Sequence, residues 1–379
     1  MHQIWKCGHF EVGGSAILKQ FYVNLAERRY PIMTGSGCLS QAGTLLSRTG
    51  FDTAPIVISN AKVWRLYGSV LEPSLKEIFG SVALVLIGDG ERFKNHATLL
   101  KIYESMFRAR ADRRSWILAF GGGVVGDIAG FAAATFMRGI PYAMAPTTLL
   151  AQVDSSIGGK VAVNVKEGKN LIGAFHQPSA VLTDIEVLKT LPKRELASGL
   201  YEAVKSAAIC SESLLGYLER KLPEILNCRP REMERVVVET AKIKAKVVTS
   251  DEKETGLRMM LNYGHTIGHA LESATGYKRF KHGEAVAWGM IAALEYGREL
   301  GLLQPEESSR LIRLIHRVGP LPSLKGISFG SLWNSLVLDK KFRAGDIRMV
   351  LLRHLGNADI HTDIEPESLR QFLKGFLAG

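Results

Sequence analysis

Between residues 30 and 190 the chain repeats one pattern: a short run of β-branched and apolar residues, then a stretch with apolar residues at helical spacing. The runs are 54–59 (APIVIS), 82–88 (VALVLIG), 115–122 (SWILAFGG) and the stretch around 142–145, and helical stretches such as 61–78 and 95–109 lie between them. A run that is apolar without alternation is buried on both faces, so the pattern predicts a parallel sheet covered by helices. After Pro192 the runs stop, and helical patterns occupy 195–210, 213–226, 230–250, 258–274, 283–300 and 305–318. The 379 residues therefore divide into an α/β N-terminal domain, 1–190, and an all-helical C-terminal domain, 191–379, with the KTLPKRE turn at the boundary. Residues 1–20 fit no element and are expected to form a loose extension.

Lys and Arg number 48 against 37 Asp and Glu, and 48 − 37 = +11. Such a surplus calls for an anionic partner: nucleic acid, a membrane surface or a small phosphorylated molecule. The charge is scattered, with one modest cluster at 108–114 and no basic stripe carrying stacking aromatics, which argues against nucleic acid. No apolar run approaches the ~18–20 residues that cross a bilayer, so no membrane is expected. Cys7, Cys38, Cys210 and Cys228 are far apart and form no CxxC pair. With an N-terminus that makes a poor signal peptide, they point to a cytoplasmic protein.

The run 115–122 leads into Gly121-Gly122-Gly123-Val124-Val125-Gly126-Asp127 and then a small-residue helix. A strand, a glycine turn and a helix N-terminus form the local context of a Rossmann-like nucleotide-binding domain, where N–H donors meet a pyrophosphate. The spacing is not G-x-G-x-x-G, and close helix–sheet packing accounts for these glycines equally well. A second turn, Gly88-Asp89-Gly90-Glu91-Arg92-Phe93-Lys94, puts an acid after a strand, which suits ribose hydroxyls and favours NAD over NADP. Its Lys94 can reach phosphate; a plain charged surface turn is the alternative. The segment 146–160, PTTLLAQVDSSIGGK, with Asn164, Lys169 and Asn170 beyond it, supplies many donors in little volume, as phosphate or polyol binding requires. A solvent-exposed loop is the competing explanation.

The strongest chemical signal is Leu261-Asn262-Tyr263-Gly264-His265-Thr266-Ile267-Gly268-His269-Ala270-Leu271-Glu272. His265 and His269 are i,i+4 and share a helix face, which Asn262, Arg258 and Glu254 continue backward. Lys281-His282-Gly283-Glu284 opens another helix, and Glu202 is a candidate carboxylate. Two histidines and a carboxylate with an open position form a catalytic zinc arrangement. Spacing does not choose among His265, His269 and His282, but it makes the all-helical domain the metal-binding one.

Together GGGVVGDIAGFAAATFMRG, PTTLLAQVDSSIGGK, GKNLIGAFHQP, LKTLPKRELASGLYEAVK, ETGLRMMLNYGHTIGHALE and HGEAVAWGM resemble the 3-dehydroquinate synthase family of sugar-phosphate cyclases, from about residue 30 nearly to the C-terminus. The resemblance implies a carbon–oxygen lyase of the shikimate pathway of aromatic amino acid biosynthesis. It would convert 3-deoxy-D-arabino-heptulosonate 7-phosphate to 3-dehydroquinate and phosphate. The steps implied are transient NAD-dependent oxidation, phosphate elimination, reduction, ring opening and intramolecular aldol closure. The implied ligands of Zn²⁺ or Co²⁺ are Glu202, His265 and His282. For NAD they are Glu91, Lys94, Gly122, Gly123 and Asp127, with Thr147, Thr148, Lys169 and Thr190. The substrate, a sugar phosphate carboxylate, would meet Asp154, Lys160, Asn170 and Lys244, then Arg258, Asn262, His269 and one of Lys340 and Lys341. Lys160, Lys205, Glu254 and His269 would take catalytic roles. Arg138 would reach the phosphate held by a second copy, implying a homodimer.

Sister cyclases are the first rivals. Those acting on sedoheptulose 7-phosphate have no carboxylate to bind and tend to change Lys244, Arg258, Asn262 and His269; the amino-shikimate type keeps one. A metal-dependent polyol dehydrogenase would lack the 146–160 segment and Arg138. The chain departs from the family pattern at 161–162 (VA), at Ser206-Ala207, and at Asn60, where an Asp is frequent.

Overall fold

The computed structural model describes residues 8–12, 16–338 and 347–378. In chain order the elements begin β1 (Gly8–Val12), β2 (Ala16–Asn24), β3 (Arg29–Gly35), α1 (Ala42–Ser47), β4 (Pro55–Asn60), α2 (Ala61–Phe79), β5 (Ala83–Ile87) and α3 (His96–Arg108). There follow β6 (Trp116–Gly121), α4 (Gly123–Thr135), β7 (Tyr142–Pro146), β8 (Lys160–Val165), β9 (Gly168–Phe175) and β10 (Ala180–Asp184). Then come α5 (Lys193–Cys210), α6 (Glu212–Leu226), α7 (Pro230–Ser250), α8 (His265–Ala274), α9 (His282–Glu299), α10 (Pro305–Val318) and α11 (Phe329–Leu338). The chain closes with β11 (Ile347–His354), β12 (Asn357–Ile364) and α12 (Pro366–Ala378). Contacts divide it into two units: residues up to Leu191 together with Met233–Lys253, and Pro192–Glu232 together with the residues from Glu254 onward.

The first unit is built on an eight-stranded sheet in the order β1-β2-β3-β10-β7-β6-β4-β5. From β3 to β5 neighbouring strands are parallel, and β1 and β2 add an antiparallel edge. Strands β4, β6, β7 and β10 are buried at every position, as continuous apolar runs under helices must be. At the far edge, on β5, Leu84 and Leu86 are exposed. Residues 1–20 are thus not all a loose extension: Gly8–Val12 and the start of β2 pair as strands.

One helix changes sides relative to the sequence division. Val238, Ala241, Ala245 and Val248 of α7 join the sheet's core cluster beside Ile128 and Ala132 of α4. Burying Val238 and Val248 contributes about 3–6 kcal/mol, which draws this helix to the first unit although it lies beyond residue 191. An amphipathic pattern shows that a face is buried, not against what.

Among the described residues the second unit is helical apart from the antiparallel hairpin β11–β12, so it is not all-helical. Its helix pattern at 258–274 is also broken. Leu257–Asn262 is a 3₁₀ turn, and Gly264 at φ 75° caps α8 in the left-handed region, which ends any continuous helix there.

Candidate functional site

In the second unit, α5, α8 and α9 approach closely because glycines leave no side chain between them. A Cβ on Gly289 would stand 1.8 Å from the carbonyl oxygen of Gly264, and one on Gly283 would stand 2.0 Å from that of Ser198. The three helices can therefore each present a polar residue to one point. Glu202, on α5, is 1% exposed. Its Oε1 lies 3.7 Å from Nε2 of His265, which opens α8, and 3.6 Å from Nε2 of His282, which opens α9. Ring nitrogens of His265, His269 and His282 all fall within 4.8 Å of one another, and His269 is exposed.

These separations suit a metal. Bonds of about 2.0–2.2 Å in a tetrahedron put ligand atoms about 3.3–3.6 Å apart. Lys205 pairs with Oε2 of Glu202, yet neither carboxylate oxygen receives a directed hydrogen bond among the described residues. A buried carboxylate in that condition, opposite two imidazole nitrogens, is the donor set of a borderline divalent ion such as Zn²⁺ or Co²⁺.

Around this point the unit gathers further charge. Arg194 grips Glu284 through two hydrogen bonds of 2.5 and 2.7 Å, and Glu284 Oε2 accepts from the backbone N–H of Lys281 at 2.8 Å, pinning the start of α9 beside His282. Asn262 Nδ2 donates to Glu254 Oε1 at 3.1 Å. Arg258 is buried. Glu254 has φ 59° and Gly256 breaks the backbone, so Glu254, Arg258, Asn262 and His269 do not continue one helix face; a loop and a 3₁₀ turn carry the first three. Glu272 was missed: its Oε2 is 3.1 Å from Nδ1 of His282. The available signal was its position, one turn after His269 on the face of the histidines.

In the first unit the glycine turn forms as expected between β6 and α4. Gly122 caps α4 without a side-chain hydrogen bond, which leaves the first helical N–H groups directed outward from the strand end. A Cβ on Gly122 would meet Thr148 Cγ2 at 2.9 Å, and one on Gly126 would meet Met144 Cε at 2.3 Å. The turn therefore answers to packing as well as to any ligand. Thr147 donates its backbone N–H to Gly121, and Thr148 Oγ1 accepts from Ala151.

Four of the expected nucleotide and substrate residues belong to one network. Lys94, 3% exposed, pairs with Asp127 and donates to Asn170 Oδ1. Asn164 Nδ2 donates to Glu91 Oε1 at 2.7 Å, while Asn164 Oδ1 accepts from the Asn170 N–H at 3.0 Å. Burial pushes the Asp127 carboxyl above its ordinary value, and Lys94 pulls it back. Lys244, on α7, donates to Asp154 Oδ1 at 2.6 Å and to the Asp154 carbonyl at 2.7 Å.

The segment after β7 is not a solvent loop: Thr147, Gln152, Val153 and Ser156 are buried, and Gln152 Nε2 donates to the Asp184 carbonyl at 2.8 Å. Lys160 is exposed at the start of β8, and Lys169 is half-buried on β9. Gly123 lies one residue into α4, with Ser155 beside it. Thr190 Oγ1 meets the Tyr67 hydroxyl at 2.6 Å. Asn60 caps α2, accepting from the Val63 N–H at 2.9 Å. Arg138 is exposed, with φ 70°, after Met137 at φ 50°. Lys340 and Lys341 lie outside the described residues. No helix among the described residues is long and apolar enough to cross a membrane.

Comparison with known proteins adds to this geometry. Residues 84–198 match the family model described as 3-dehydroquinate synthase N-terminal, and residues 199–342 match that described as 3-dehydroquinate synthase C-terminal. A 3-dehydroquinate synthase of Pelotomaculum thermopropionicum is 46% identical over 353 residues, which cover 93% of this chain and 95% of the relative. The solved structure of 2-deoxy-scyllo-inosose synthase complexed with carbaglucose-6-phosphate, NAD⁺ and Co²⁺ is similar with a TM-score of 0.83 and 28% identity, covering 94% of this chain and 99% of that one. A 2-epi-5-epi-valiolone synthase from Streptomyces hygroscopicus subsp. jinggangensis with NAD⁺ and Zn²⁺ bound reaches 0.83 and 27%, covering 94% and 98%.

Proposed function

The chain belongs to the 3-dehydroquinate synthase family, and from that premise we propose that it converts 3-deoxy-D-arabino-heptulosonate 7-phosphate to 3-dehydroquinate and phosphate in the shikimate route to aromatic amino acids. The observation that carries this is the approach of buried Glu202 to Nε2 of both His265 and His282. Those three residues would hold a divalent metal, Zn²⁺ or Co²⁺. Glu91, Lys94, Gly122, Gly123, Asp127, Thr147, Thr148, Lys169 and Thr190 would serve NAD. When bound, the metal supplies a Lewis acid to the substrate's hydroxyls, and NAD a reversible hydride acceptor.

The chain's own residues do the rest. Lys205 fixes Oε2 of Glu202 and so orients Oε1. Arg258, a buried guanidinium with a planar fork, suits the substrate carboxylate, with Asn262 as a further donor. Lys160 and Asn170 suit phosphate and hydroxyl oxygens, and Asp154 is held in place by Lys244. His269, exposed one turn after His265, would pass protons, and Glu254, which accepts a hydrogen bond from Asn262, would share that task. Arg138 would reach the phosphate bound by a second copy of the chain. The exposed apolar side chains of Met137, Leu171, Ile172 and Phe175 support such a homodimer. The four widely spaced cysteines support a cytoplasmic location.

A sister cyclase acting on a substrate without a carboxylate is the second reading, favoured by the structural likeness to inosose and valiolone synthases. Against it, identity falls from 46% with the dehydroquinate synthase to 28% and 27% with those two. The test is phosphate release and carbocycle formation from each candidate sugar phosphate with NAD⁺, with and without chelator. Turnover of the heptulosonate that chelator abolishes is expected, and turnover of sedoheptulose 7-phosphate alone would overturn the proposal. Arg258→Ala is expected to raise KM for the carboxylate substrate at least tenfold; an unchanged KM would remove Arg258 from that role.

A further inference from the structure

A ligating imidazole needs its second nitrogen held, or the ring turns and its tautomer drifts. His265 meets this need with backbone: its Nδ1 lies 3.2 Å from the Tyr263 carbonyl oxygen. A carbonyl only accepts, so Nδ1 carries the proton and Nε2 keeps its lone pair toward Glu202. His265 is also buried, 8% exposed, and packing confines its ring. His282 is in a looser setting, with its side chain 31% exposed at the first position of α9. Its Nδ1 meets Oε2 of Glu272 at 3.1 Å, and the Glu272 side chain is only 7% exposed.

We propose that Glu272 is the positioning residue of the metal centre, accepting the Nδ1–H of His282 so that Nε2 is fixed toward the point it shares with Glu202 and His265. An ionised carboxylate only accepts, so it selects the Nδ1–H tautomer, and its charge makes Nε2 a better donor to a cation. The two ligating histidines are thus held differently: His265 by packing and a neutral carbonyl, His282 by a buried anion on the neighbouring helix. This inference rests on the proposed metal centre.

The test strips metal from the purified protein and titrates Zn²⁺ against a chromophoric chelator. Glu272→Ala is expected to weaken Zn²⁺ binding by about 10–100-fold while the far-UV spectrum of the metal-free protein is unchanged. Glu272→Gln keeps an acceptor oxygen without the charge, and its affinity is expected between those of Glu272→Ala and the unsubstituted chain. Affinity of Glu272→Ala within about threefold of the unsubstituted chain would overturn the proposal. Where Glu272→Ala does not fold, Glu272→Gln decides: weakened Zn²⁺ binding supports the role and unchanged binding overturns it. His265→Ala separates the two levels. If it loses Zn²⁺ and Glu272→Ala does not, only the role of Glu272 fails; if neither loses Zn²⁺, the metal centre fails and the positioning role with it.

Discussion

In the helical unit, Glu202, His265 and His282 stand on three helices whose spacing is set by backbone lying against backbone. In the sheet unit, Lys160, Lys169 and Asn170 stand on the two-stranded hairpin β8–β9, where Leu171, Ile172 and Phe175 are exposed and Asn170 is held by hydrogen bonds with Lys94 and Asn164. The first arrangement is rigid: its polar atoms converge on one point from three helices, and packed helices do not deform continuously. The second is a network that ligand can rearrange by exchanging one acceptor for another. Metal chemistry needs fixed donors, whereas binding a large, many-charged substrate and a dinucleotide tolerates adjustable ones.

The largest effect expected is at the fixed site. His265→Ala should remove several kcal/mol of transition-state stabilisation, and kcat/KM should fall about a thousandfold or more, together with Zn²⁺ affinity. Retained activity without metal binding would show that the helical pocket is not the centre of the chemistry. Next is the adjustable network. Lys94→Ala leaves the half-buried Asp127 carboxylate without its cation and should cost about 1–3 kcal/mol in denaturant unfolding. Adding Asp127→Asn should recover most of that loss, and an additive double variant would contradict the coupling. Gly289→Ala places a methyl 1.8 Å from the Gly264 carbonyl and should cost about 1–3 kcal/mol, with weaker Zn²⁺ binding as α8 and α9 separate. Normal Zn²⁺ affinity in that variant would show that backbone contact does not set the donor spacing.

The smallest effect lies in the sheet unit and depends on pH. Burial lowers the pKa of His176 from its ordinary 6.5, with the ring stacked on Tyr142 and Nε2 2.9 Å from the Ile140 carbonyl oxygen. A histidine held neutral in the folded state contributes stability that is present above pH 6.5 and lost as pH falls through its lowered value. Unfolding free energy measured from pH 8 down to pH 5 should therefore decline, and His176→Gln should flatten the decline. An unaltered slope would assign the acid sensitivity elsewhere.

The strands that sequence reveals best are those buried on both faces: β4, β6 and β7 read as unbroken apolar runs because helices cover them twice. β2, AILKQFYVN, and β3, RYPIMTG, mix polar residues and a proline into the antiparallel side of the sheet, so neither a clean alternation nor a run announces them. The pattern at 258–274 read as one helix because apolar spacing does not register a left-handed glycine, and Gly264 is where the backbone turns. At the candidate site, His265 and His282 stood out because histidine clusters are chemically distinctive. Glu272 did not, because a glutamate on a helix is ordinarily a solvated charge and only the fold shows which ring it meets.

The reaction requires that NAD end each cycle as it began. The most direct test is to incubate the metal-loaded protein with 3-deoxy-D-arabino-heptulosonate 7-phosphate and catalytic NAD⁺, measuring phosphate, 3-dehydroquinate and NADH absorbance together. One phosphate and one 3-dehydroquinate per substrate consumed, far exceeding the NAD⁺ supplied and with no NADH accumulating, is the predicted result. NADH rising in step with substrate consumption, without phosphate release, would identify a net dehydrogenase and contradict the account.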